Sequence, residues 1–148
     1  METMNKVTDT GELVYKDILN FISNNMIIAI DFDGTCVTHE YPNVGKDIGA
    51  VDTLRTLVAK GHKIMLWTMR CGKELEDAVD WFEQNDIPLW GINENPTQNW
   101  SSSNKQYAHL YIDDTALGCP LKHDPWLCKN AYVDWEKVKK YLIANGII

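Results

Sequence analysis

Asp31 and Asp33 stand one residue apart where the apolar run Met26–Ile30 ends, and Gly34 and Thr35 follow at once. A second acidic pair, Asp113 and Asp114, closes the apolar stretch Ala108–Ile112. Two carboxylates ~4 Å apart repel by roughly 4 kcal/mol at an effective dielectric of 20. Several acids gathered in one pocket therefore need compensation, and a divalent cation supplies it. A donor set made only of oxygen suits Mg²⁺ rather than zinc, which makes Asp31, Asp33, Asp113 and Asp114 candidate metal ligands. Gly34 lets the backbone turn and approach a ligand closely, and Thr35 adds a hydroxyl and an N–H. Thr68, at the end of "HKIMLWT", could hydrogen-bond a phosphate oxygen, and Lys105 could neutralise it as a point charge. A metal site, anion-binding donors, a cation and an acidic nucleophile together fit phosphoryl transfer.

The elements that must carry these residues follow from periodicity. Leu13, Ile18, Phe21 and Ile22, with Val14 nearby, fit an amphipathic helix of about three turns before the first strand. "MIIAIDF" reads as a buried strand, because it is a short apolar run closed by a turn signal. Asp47–Lys60 carries Ile48, Val51, Leu54, Leu57 and Val58 at helical spacing and stops at Gly61. "HKIMLWT" predicts a second strand, Lys73–Asn85 a second helix, "PLWGI" a third strand and "AHLYID" a fourth. "AYVDWEKVKKYLIANG" predicts a short extended lead-in and a closing helix stopped by Gly146. Strands alternating with helices predict a Rossmann-like, mostly parallel sheet in a three-layer α/β/α sandwich, one domain over residues 1–148. In such sheets ligands bind beyond the carboxyl ends of the strands. The polar residues at those ends are Asp31 and Asp33, Thr68 and Arg70, Asn93 and Asn95, then Asp113 and Asp114.

"DFDGT" followed by "LWTMR", Lys105 and "YIDD" resembles the haloacid dehalogenase-like (HAD) superfamily of phosphatases, over about Met26–Gly118. The resemblance implies a Mg²⁺-dependent phosphomonoesterase in which Asp31 attacks phosphorus and forms an aspartyl-phosphate. Asp33 would protonate the leaving oxygen and later activate water, while its backbone carbonyl binds Mg²⁺. Thr68 and Lys105 would hold the phosphoryl oxygens, with Gly34, Thr35, Met69 and Arg70 completing the substrate-binding set. Asp114 is favoured as the direct metal ligand and Asp113 as a residue behind it, oriented by Lys105. Members of that superfamily often carry a cap domain over the site. Residues 34–67 and 69–104 leave no room for one, so the chain resembles a minimal, capless member whose open site is closed at most by the loop "CVTHEYPNVGK".

Charge and composition narrow the partners. The net charge of −7 argues against long nucleic acids. The apolar runs are far short of the ~20 residues of a membrane span, and no secretion signal precedes them. Cys36, Cys71, Cys119 and Cys128 form no C-x-x-C pair and read as free thiols, which places the protein in the cytoplasm. An open site suits a phosphorylated macromolecule, or a phosphorylated small molecule in a pocket completed by a second copy in a homo-oligomer. A receiver-like phospho-switch uses similar parts, and a non-hydrolytic phosphate-binding protein would as well. In receivers, however, the acid pair comes early and the phospho-acceptor stands alone, whereas here D-x-D comes first and supplies a built-in base. Arg70 fits either a substrate phosphate or an acid partner. His39 and Tyr41 fit ordinary loop positions better than substrate contacts, and Asn93 and Asn95 serve turn formation as readily as the pocket. Trp100 and Trp126 lie in polar, loop-like contexts where an exposed indole would mark a contact surface.

Overall fold

The structure, a computed structural model, describes residues 25–148; the helix expected around Leu13–Ile22 lies outside them. Strand β1 (Ile27–Ile30) is followed by α1 (Ala50–Ala59), β2 (Lys63–Leu66), α2 (Gly72–Gln84), β3 (Leu89–Ile92), β4 (Leu110–Ile112), β5 (Leu121–Lys122), β6 (Tyr132–Val133) and α3 (Trp135–Ala144). Strands β1 to β4 form a parallel sheet in the order β3-β2-β1-β4, while β5 and β6 pair antiparallel on their own. This is the α/β fold expected from the alternation, with no separate cap among the described residues. One helix lies between β1 and β2, and one helix and one strand lie between β2 and β4.

Burial on both faces explains why β1 is apolar throughout. Ile28, Ile30, Ile64 and Leu66 join Leu54 and Leu57 of α1, Ala78 and Phe82 of α2, and Val138 and Leu142 of α3 in one core. Ile27, Ala29 and Met65 pack with Ala108 and half-buried Trp67 in a separate cluster, as the two-residue alternation of a strand requires. Right-handed crossovers that step from β1 to β2 to β3 put α1 and α2 on one face. The return from β3 to β4 reverses direction, and residues 93–109 make it as loop. Within the first core, Phe32 meets Trp81 and Phe82 at ring separations of 5.6 and 6.1 Å. Each such aromatic pair is worth about 1 kcal/mol beyond its buried area. They anchor the residue between the two motif aspartates to α2.

The helix ends follow local chemistry. Gly49 caps α1 at φ 90°, and Gly61 stops it at φ 95°. Asp134 accepts from Lys137 N–H at the start of α3, the side-chain cap that orphan first-turn donors favour. The pairing of β5 with β6 was not expected from sequence. Leu121 and Lys122 carry no periodic signal in two residues, and both are exposed.

Candidate functional site

Backbone hydrogen bonds continue just past the strand ends and bring three of them level. Asp31 N–H donates to Ile112 O at 3.0 Å, Trp67 N–H to Ile30 O at 2.8 Å, and Asn93 N–H to Leu66 O at 2.8 Å. The residues that follow open onto a cavity of about 390 Å³ lined by Asp31, Asp33, His39, Tyr41, Thr68, Met69, Arg70, Asp113, Asp114 and Thr115. A second cavity of about 330 Å³, towards Trp67 and Asn93, shares Asp31, Thr68, Met69 and Asp113 with it. Asp31 and Asp113 are therefore reachable from both cavities.

Asp31, Asp113 and Asp114 each place a carboxylate oxygen within 4.8 Å of the others. Among the described residues this is the group of His, Cys, Asp or Glu side chains close enough to share a metal ion. Burial, aided by the charges of Asp113 and Asp114, pushes the Asp31 carboxyl up to about 8, against the pull of hydrogen bonds from Thr35 and the Phe32 backbone. Thr35 ties the group together. Its hydroxyl donates to Asp31 Oδ2 at 2.8 Å, lies 3.4 Å from Asp114 Oδ1, and accepts from Asp114 N–H at 3.0 Å. Asp113 Oδ1 accepts from both the N–H and the hydroxyl of Thr115. His39 Nε2 stands 2.9 Å from Asp114 Oδ2. Gly34 sits below them at φ 78°, and a Cβ there would collide with Asp114 Oδ2 and the His39 ring, so the glycine is fixed by both backbone and space.

The remaining expected residues divide. Thr68 lines both cavities; its hydroxyl accepts from Arg70 N–H at 3.2 Å, and its N–H donates to Asn93 Oδ1 at 2.8 Å. Asn93, in the left-handed region at φ 53°, thus holds the strand tip. Asn95 is buried and organises the next loop, donating to Tyr107 O and accepting from Thr97. Met69 is almost fully exposed at the rim (97%). Arg70 is buried and pairs with Asp33, its Nε donating to Oδ2 and its Nη2 to Oδ1, both at 2.7 Å. It also donates to the carbonyls of Pro42, Asn43 and Glu74. The expected substrate-binding role of Arg70 does not fit this geometry, because its donors are committed to protein oxygens. The Asp33 carboxylate is likewise turned to Arg70 rather than into the acidic trio, which corrects its place among side-chain metal ligands. Lys105 lines neither cavity and lies exposed in the return loop, so it does not orient Asp113 here.

The sequence favoured ordinary loop positions for His39 and Tyr41, whereas the structure puts both on the cavity wall; the contacts that support their loop and the Gly34–Thr35 turn escaped the sequence reading. The cavity position of His39 and Tyr41 depends on the fold of the loop 36–46, and no periodic signal encodes it. The loop is pinned by Lys46 Nζ donating to Leu127 O at 2.9 Å and by Arg70. From the other side, Val133 N–H donates to Gly34 O at 2.9 Å and Trp135 Nε1–H to Thr35 O at 2.7 Å. Trp126 is fully exposed (97%), and Trp100 largely so (67%). The four cysteines are free thiols. No helix among the described residues is long and apolar enough to cross a membrane.

No family model and no curated protein matches this sequence. A solved structure from Bacteroides thetaiotaomicron, described as a conserved protein coded by a locus of that organism, matches at 33% identity with a TM-score of 0.66. The match covers 82% of this chain and 92% of that one. This chain belongs to the same family. That relative is described only as conserved, so the kinship establishes the α/β fold and leaves the chemistry to the site itself.

Proposed function

We propose that this protein is a Mg²⁺-dependent phosphohydrolase of the HAD-like type, acting on phosphate monoesters through an aspartyl-phosphate on Asp31. The observation that carries the reading is the meeting of Asp31, Asp113 and Asp114 within 4.8 Å on a cavity that Asp33 and Thr68 also line. The donor set fits the cation. It offers oxygen only, and the desolvation that holds the Asp31 carboxyl far above its ordinary range is what a bound dication would reverse. When bound, Mg²⁺ would supply charge neutralisation at the phosphoryl oxygens.

The chain's own residues do the rest. Asp31, held by Thr35, presents an oxygen to phosphorus, and the ester oxygen leaves with a proton from Asp33. Asp33 then takes a proton from water as the acyl phosphate is hydrolysed. Asp113 and Asp114 complete the cation site, with Thr115 and His39 orienting them. Thr68, on the cavity wall, would donate its hydroxyl to a phosphoryl oxygen. A role for Lys105 requires the return loop to fold inward towards Asp113. The substrate is a phosphorylated small molecule or macromolecule, because the cavity is open and uncapped; a second copy of the chain could complete it. Free thiols fit a reducing compartment, and we assign the protein to the cytoplasm.

A screen of phosphate release across phosphorylated metabolites, nucleotides and phosphopeptides, with and without Mg²⁺, tests the reading. Sustained, Mg²⁺-dependent release is expected for at least one class, and Asp31→Asn should lose all but about a hundredth of it, since each tenfold is ~1.4 kcal/mol of barrier. Release by Asp31→Asn above about a tenth of wild type would overturn the covalent route.

A further inference from the structure

The guanidinium of Arg70 is used completely. Nε meets Asp33 Oδ2, Nη2 meets Asp33 Oδ1 and Asn43 O, and Nη1 meets Pro42 O and Glu74 O. Its five N–H groups thus have five oxygen partners. The group is also sandwiched, with its central carbon 5.0 Å from the Phe32 ring centre and 5.3 Å from that of Tyr41. The three carbonyls come from two places, the loop 36–46 and the first turn of α2. One buried cation therefore ties the second motif aspartate, the loop over the cavity and the start of a helix into a single unit.

We infer that Arg70 is a positioning residue that couples the loop over the cavity to the orientation of Asp33, so that the two are ordered together or not at all. A lysine could not reproduce this, because an ammonium lacks the planar fork that engages both carboxylate oxygens while reaching three carbonyls. The coupling stands on geometry alone. Its consequence for turnover rests on the phosphohydrolase reading: Arg70 holds Asp33 at the cavity wall, and the acid and base role needs one Asp33 oxygen to exchange Arg70 for the ester oxygen or water without leaving that wall.

The coupling is tested by amide hydrogen exchange over residues 40–46 in wild type, Arg70→Lys, Asp33→Asn and the double variant. Each single variant should speed exchange of that loop by about tenfold, with β1 and β2 still protected. The double variant should exchange no faster than the faster single, as expected of partners acting as one unit. Wild-type exchange in a folded Arg70→Lys, or multiplied effects in the double variant, would overturn the coupling. Should Arg70→Lys fail to fold, Asp33→Asn decides alone, and an unchanged loop refutes the inference.

The catalytic half is read on whichever esters the wild type hydrolyses. Arg70→Lys should lower kcat rather than raise KM, and should lose at least tenfold more on an alkyl than on an aryl phosphate, following Asp33→Asn. Equal losses on both would leave Arg70 a purely structural residue. If wild type hydrolyses no ester, the phosphohydrolase reading falls, and the exchange result still decides the coupling.

Discussion

The raised Asp31 carboxyl makes a prediction that needs no substrate. In EDTA, Asp31 is held protonated in the folded chain up to about pH 8, against an ordinary value of 3.8. Between those values the native state keeps a proton that the unfolded chain has released, so stability falls as pH rises. Its contribution is complete below pH 3.8 and is lost through about pH 8. At 1.36 kcal/mol per unit, the full shift would set a ceiling of roughly 6 kcal/mol. The site opens on two cavities and is reached by water and counter-ions. A loss of about 2 kcal/mol, comparable to one carboxylate repulsion across ~4 Å at an effective dielectric of about 40, is the realistic expectation. Asp31→Asn removes the titration while keeping an acceptor for the Thr35 hydroxyl. Urea melts of both proteins in EDTA from pH 4.5 to 8.5 should therefore show the variant gaining on wild type as pH rises, by about 2 kcal/mol at the upper end. Millimolar Mg²⁺ should stabilise wild type at pH 8 far more than the variant. A stability difference that stays flat across the range would refute the reasoning, because the acids would then not be crowded and desolvated as the fold implies.

Other outcomes follow from the same geometry. Activity should vanish in EDTA and return with Mg²⁺ but poorly with Ca²⁺, whose larger shell recruits more oxygens and could occupy both of those on Asp31; undiminished release of phosphate without metal would contradict the site. Asp33→Asn should slow alkyl phosphates more than p-nitrophenyl phosphate in single-turnover assays, and an acid quench should show an added phosphate mass on the protein; equal slowing with no trapped species would leave the acid–base group unidentified. Gly34→Ala combines a left-handed backbone with a collision against Asp114 and His39. It should cost about 2 kcal/mol in urea unfolding and weaken Mg²⁺ binding measured by calorimetry, whereas wild-type affinity would show that Asp114 does not need its present place.

Long periodic segments were legible in the sequence, and so were the strand ends. Leu54 and Leu57 announce α1, and the run Ile27–Ile30 announces a strand buried on both faces, because each repeats a spacing that solvent exclusion enforces. Asp31, Asp113 and Asp114 were legible as a group, since parallel strands must deliver their carboxyl ends to one edge. What could not be read is which way a side chain turns once it arrives. Arg70 fitted a phosphate or an acid equally well in one dimension; only the packing of the loop 36–46 against α2 turns it to Asp33. Lys105 was placed by motif order alone, and the return loop leaves it outside the cavity. His39 lies in an aperiodic loop, where position depends on contacts with residues far along the chain. The strand β5 was missed for a related reason. Two residues form no pattern, and the pairing depends on β6.

The bond from Trp135 to the carbonyl of Thr35 spans 100 positions, and Val133 reaches back to Gly34 in the same way. The turn of Gly34 and Thr35 is synthesised well before residues 132–135, which support it. Until residues 132–135 dock, the carbonyls of Gly34 and Thr35 lack these partners, and the turn beside the acids rests on its own local hydrogen bonds alone. Loop closure over such a separation is entropically costly and slow, so sheet formation and site formation need not coincide in time. A nascent chain could hold β1 to β3 paired while still unable to gather its carboxylates. Gathering of the acidic trio would then report docking of residues 132–135 and of the helix α3 that follows them, which acts as the keystone.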